Sequence, residues 1–170
     1  YEYEASNITE ALKELGVTYA FSELFKPESL TRDRNNRYKV FKHQEEVLDI
    51  FLAIDGQKED ANILPFLNYD KIKEGKMCRH IVCVLPFKAS CDALENLLEA
   101  NKALFQNLGE YTIVNIAGLT SDAQYPSIQS VKSVISDCEK KGKKTITLTV
   151  NRMLTGTTVE EWDTMLYFKD

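Results

Sequence analysis

A chain of 170 residues with 44% hydrophobic residues and a net charge of −5 is long enough to bury the core of one domain, and too acidic for an autonomous nucleic-acid binder, which carries a basic face. No apolar run approaches the roughly 18 to 20 residues that span a bilayer, and the polar, acidic start lacks the basic-then-apolar pattern of a secretory signal. Cys78, Cys83, Cys91 and Cys138 show no CxxC spacing and have only His43 and His80 for company. Free thiols in a reducing, cytoplasmic setting are expected, with no metal site and no membrane partner. The chain starts at Tyr1 and stops at Asp170 directly behind the apolar TMLYF, so a piece of a longer protein is expected.

Residues 1 to 75 read as a mainly helical lead-in or insertion. Ser6 or Asn7 caps a helix carrying Ile8, Leu12 and Leu15, with Gly16 as its stop. Pro27 and TRDRNNR (31 to 37) interrupt the pattern. The spacing of Val40, Val47, Leu48, Phe51 and Leu52 predicts a helix from about Tyr38 to Ala53, closed by Gly56. NYDKIKEGK (68 to 76) reads as an exposed connection.

The period then changes, and residues 76 to 170 form a second unit. HIVCVLPF (80 to 87) is an apolar run of strand length, followed by Ser90 and a helical stretch with Leu94, Leu97, Leu98 and Phe105. YTIVNIAG (111 to 118) is a second run of that kind. Pro126 opens a helix with Ile128, Val131, Ile135 and Cys138 inward and Gly142 at its end. TITLTV (145 to 150) and TMLYF (164 to 168) complete the set. Strands alternating with helices of about a dozen residues predict an α/β fold, a parallel sheet with helices on both faces and right-handed crossovers.

Ligands of such folds sit at the carboxyl ends of the strands. Lys88 and Ser90 follow the first strand, Gly118, Thr120 and Ser121 the second, and Asn151, Arg152, Thr155, Gly156, Thr157 and Thr158 the third. Backbone amides near glycine, hydroxyls and isolated cations suit phosphate oxygens. Polar side chains are also ordinary in such loops.

The segment KTITLTVNRMLTGTTVEEWDTML resembles motif V of superfamily 2 helicases and translocases, in particular the restriction-enzyme branch. HIVCVLPFKASCDALENLL is similar to motif IV, the first strand and helix of the second RecA-like motor domain, and YTIVNIAG to the strand after it. The resemblance covers residues 77 to 170, ending before the arginine-bearing motif VI. It implies a RecA-like, P-loop NTPase type sheet, with Asn151, Arg152 and Thr155 near phosphates and Gly156 where a side chain would obstruct. Lys88, Ser90, Gly118, Thr120, Thr157 and Thr158 complete the nucleic-acid- or nucleotide-facing set. Thr158 stands where many relatives carry an acidic ribose contact, and Glu160 lies near the position of a missing proline.

The function this implies is a fragment of an ATP-dependent DNA helicase or translocase from a restriction-modification system. Its partners would be DNA and the first RecA-like domain of the same protein. ATP and Mg2+ belong to that whole protein. The chain has no GxxxxGK followed by Ser or Thr and no acidic box after an apolar strand, so the isolated fragment is expected to hold no cofactor, no metal and no catalytic residue. The residues alone leave open a noncatalytic α/β interaction module with a flavodoxin-like sheet. Lys140, Lys141, Lys143 and Lys144 around Gly142 read as cations complementing a helix C-terminus, Trp162 as a core anchor, and Cys91 as structural.

Overall fold

The computed structural model describes residues 2–3, 20–29, 39–56, 69–76, 78–118, 125, 127–150 and 159–169. Its centre is β4 (His80–Val84), buried at every position. β6 (Thr145–Thr149) lies on one side of it and β7 (Thr164–Tyr167) on the other, both parallel to it. β5 (Thr112–Asn115) pairs with β6, and β1 (Glu2–Tyr3) pairs parallel with β7 at the far edge. The order β1-β7-β4-β6-β5 confirms the α/β class and the parallel sheet. It is consistent with a RecA-like arrangement. A flavodoxin-like sheet would seat the first strand of the series between the second and third. Here β4 lies between β6 and β7, the third and fourth.

The chain steps from β4 past β6 to β5, and then back to β6. Right-handed crossovers in opposite directions place their helices on opposite faces, and the packing agrees. α4 (Lys88–Ala100) buries Cys91, Leu94, Leu97 and Leu98 in one cluster with Ile81 and Cys83 of β4, Ile146 and Leu148 of β6 and Leu166 of β7. α5 (Ile128–Lys140) packs Val131 and Ile135 with Val159 and the half-buried Trp162 in a second cluster.

α5 has sharp local signals at both ends. Ser127 and Ser130 form a reciprocal capping box. Gly142, at φ +71°, ends the helix in a Schellman turn, with Gly142 N–H donating to Glu139 and Lys143 N–H to Cys138.

The first core cluster also takes in the described part of residues 1 to 75. α1 (Phe21–Leu24) contributes Phe21 and Leu24, and α2 (Gln44–Ile54) contributes Val47, Ile50, Phe51 and Ile54. Phe168, just after β7, meets Phe25 at 4.9 Å and both Phe21 and Phe51 at 6.0 Å between ring centroids. The Asp55 carboxylate, at the end of α2, accepts backbone N–H bonds from Gln106, Asn107 and Leu108.

Three local expectations are corrected. Residues 39 to 41 are strand β3 (Lys39–Phe41), antiparallel to β2 (Pro27–Ser29), so the helix begins at Gln44 rather than near Tyr38. Gln44 helps set that boundary by accepting the Phe41 N–H on its side chain. The connection at 68 to 76 contains a short helix, α3 (Tyr69–Lys73). The helix of the first crossover ends at Ala100, and Phe105 is buried beyond a 3-10 turn at Lys102–Leu104. The helix expected from Ser6 to Gly16 lies outside the described residues. No helix among the described residues is long and apolar enough to cross a membrane.

Candidate functional site

The four long strands point their carboxyl ends to one edge. β4 runs out to α4 on one face of the sheet, while the chain after β6 returns at Val159 and Trp162 on the α5 face. Adjacent strands whose connections part toward opposite faces open a crevice at their carboxyl ends. Its floor is continuous backbone: Leu85 N–H donates to Thr149 and Phe168 N–H to Val84.

Two exposed side chains follow the end of β4: Lys88, in the first turn of α4, and Phe87 before it. Lys169, at the end of β7, reaches across the end of β4 and donates from Nζ to the Val150 carbonyl at 3.0 Å. Val150 leads directly into residues 151 to 158. Asn151, Arg152, Thr155, Gly156, Thr157 and Thr158, and with them Thr120, lie outside the described residues. Phe87 and Lys169 were absent from the residues singled out by sequence. The rule that strand ends bear ligands, applied to the fourth strand as it was to the first three, would have found Lys169.

Two of the remaining residues are engaged elsewhere. Ser90 is fully buried and its hydroxyl donates to the Phe25 carbonyl at 2.7 Å. It ties α4 to the N-terminal segment rather than facing the edge. Gly118 donates its N–H to Asn115 Oδ1 at 2.9 Å, and a Cβ built on it would lie 2.1 Å from Asp92 Oδ1. The space a phosphate oxygen would need is thus filled by a carboxylate. Asn115 Nδ2 bridges Asp92 and Glu95. Tyr125 is pushed above its ordinary pKa by burial, with the Glu95 charge adding to it. The edge is therefore divided: cations over β7, β4 and β6, carboxylates over β5. An anion is favoured on the first part and repelled on the second.

The hydroxyls within β6 also face inward. Thr145, Thr147 and Thr149 are buried, and Trp162 Nε1 donates to Thr147 Oγ1 at 3.3 Å. At the opposite, amino edge His80 joins Thr145 Oγ1 at 2.9 Å through Nδ1 and Glu139 Oε2 at 2.5 Å through Nε2. Hydroxyl, imidazole and carboxylate in a row resemble a nucleophile and its base. The hydroxyl has no exposure and the ring is 3% exposed, so no substrate reaches them. The row is structural: it pins the end of α5 to the start of β4, with Arg79 also on Glu139 and Asp163 accepting the Arg79 and His80 amides. The His80 hydrogen bond, helped by Arg79 and opposed by burial, holds the Glu139 carboxyl below its usual range.

All four cysteines are free and buried, and burial raises the thiol pKa of Cys78, Cys83 and Cys91. Among the described residues no group of three or more His, Cys, Asp or Glu side chains could hold a metal ion.

No protein family matches the chain, and no solved structure does. Among curated proteins the chain is 25% identical over 151 residues to a Mycoplasma pneumoniae protein described as the C-terminus of a type II restriction enzyme and methyltransferase. The aligned stretch is 89% of this chain and 20% of that protein, so the chain spans about a fifth of its relative's length. The chain is thus similar to a restriction-modification protein.

Proposed function

We propose that the chain is the second RecA-like domain of an ATP-dependent DNA helicase or translocase in a cytoplasmic restriction-modification system. Residues 76 to 170 are the motor part and residues 1 to 75 its lead-in. What supports the reading is the parallel pairing of β4 with β6, which sets their carboxyl ends side by side, Lys88 following the first and Val150, ahead of NRMLTGTT, following the second. Similarity to a restriction enzyme and methyltransferase supports DNA as the polymer.

In this reading Lys88, Asn151, Arg152 and Thr155 hold backbone phosphates without reading bases. Gly156 leaves room for the approach of DNA and of the other motor domain, with Thr157 and Thr158 beside it. ATP with Mg2+ supplies the energy of phosphoryl transfer when bound by the first motor domain. This chain closes on that site and couples closure to its grip on DNA.

The test uses the protein that carries this chain. Thr155→Val removes one hydroxyl at nearly constant volume, and Gly156→Val fills the gap. Both variants should remain folded by thermal melting while DNA-stimulated ATP hydrolysis falls at least about 10-fold, the loss expected when positioning is disturbed. Folded variants that hydrolyse ATP at the unmodified rate would reduce the turn to a corner of a noncatalytic interaction module.

A further inference from the structure

The Schellman turn after α5 carries Lys140, Lys141, Lys143 and Lys144 around Gly142. Lys140, Lys141 and Lys143 are exposed, and none enters an ion pair among the described residues. The nearest carboxylate in sequence, Glu139, is engaged by Arg79 and His80. Lys144 is placed differently, with its ammonium 5.7 Å from the centre of the Tyr111 ring. Nothing lies within 4 Å of a Cβ built on Gly142, so the space around the glycine itself is open.

The dipole of α5 accounts for Lys140 and Lys141, in its last turn and cap. It does not account for Lys143, which lies beyond the helix, because the dipole effect falls off within that turn. Three ammonium groups without a described ion-pair partner repel one another, in a protein whose excess of acids offers ready partners. The arrangement is complementary to a run of negative charge that no described part of the chain supplies.

We propose that this turn is a second DNA contact, taking backbone phosphates of duplex DNA at the amino edge of the sheet. It rests on the reading of the chain as part of a DNA motor. β6 separates the turn from the carboxyl edge by five residues, roughly 16 Å at about 3.3 Å per residue, so one phosphate cannot meet both. Lysines bind phosphate as point charges, so the contact lends affinity without sequence preference and leaves specificity to other parts of the protein. Steering DNA toward the motor from outside its groove also offsets the net acidic charge that otherwise opposes association.

The triple variant Lys140→Ala, Lys141→Ala, Lys143→Ala, in the protein that carries this chain, tests the proposal by duplex binding across a salt series. The slope of log affinity against log salt should become shallower by about 0.9 for each phosphate no longer neutralised, a total of about 2 to 3. The DNA concentration giving half-maximal ATPase stimulation should rise, and the triple Lys→Arg variant should retain both properties. An unchanged slope and affinity, in a protein whose unmodified form binds DNA, overturns the second contact and leaves the motor reading standing. An unmodified protein with no DNA binding and no DNA-stimulated ATPase overturns that reading, and this contact with it. Weakened binding of polyglutamate with unchanged DNA affinity reassigns the turn to an acidic protein and also overturns the proposal.

Discussion

Gly118 owes its identity to space, with the Asp92 carboxylate where its Cβ would be and Asn115 Nδ2 2.7 Å from the same point. Gly118→Ala should therefore lower stability by about 2 kcal/mol, the usual cost of forcing an atom into a filled position. In an Asp92→Ala background the same substitution should cost less, because the nearer obstructing oxygen is gone and only Asn115 Nδ2 remains to give way. Urea denaturation of the four proteins in the cycle measures the coupling, and equal costs in both backgrounds would refute the steric account. Glycine after a strand was legible from sequence, but what filled the gap was not, since Asp92 comes from another element. Ser90 left a clearer trace. It lies four and seven residues before Leu94 and Leu97, on the same inward stripe of α4, whereas Lys88 falls off that stripe and is exposed.

Elements long enough to show a period were legible at close to their observed bounds. β4, β5, β6 and β7 are all contained in the apolar runs that announce them, and α5 opens and closes on its own capping residues. The β2–β3 hairpin was not legible, because strands of three residues show too little alternation and Val40 fits a helical stripe equally well. How elements meet depends on contacts distant in sequence, as at the junction of α5 with β4. Glu139 in the last turn of α5 has its pKa lowered from 4.5, chiefly by the His80 hydrogen bond. A carboxylate depressed in the folded state contributes stability above its unfolded pKa and loses it as pH falls from about 4.5 downward. Glu139→Gln should cost roughly 1 kcal/mol at neutral pH, a charge-assisted bond discounted for the partial exposure of the carboxylate. That difference should shrink as pH falls below about 4.5. Melting temperature against pH checks the sign, and a constant difference would mean that the charge on Glu139 contributes nothing.

At the scale of the whole molecule, the rings of Phe21, Phe25 and Phe51 gather on Phe168, which is 1% exposed. The described N-terminal elements and the parallel sheet therefore share one core. Phe168→Ala should cost about 3 to 5 kcal/mol, the range for removing a fully buried aromatic side chain. Loss of near-ultraviolet and far-ultraviolet circular dichroism should coincide on heating, as a shared core requires. Two separate transitions, with part of the far-ultraviolet helical signal lost ahead of the rest, would show instead that the N-terminal elements unfold by themselves.

The sequence by itself determined the α/β class, the parallel strands, and the helix that Gly142 closes. These follow from local periodicity, from capping and from the handedness of crossovers, all of which act within a few tens of residues. Only the tertiary structure decided that β6 inserts between β4 and β5, that Ser90 and Gly118 are spent on internal contacts, and that Lys169 reaches the crevice while the lysine turn stands at the other end. Strand order and side-chain partnership depend on which distant surfaces bury each other, and distance along the chain carries no record of that choice.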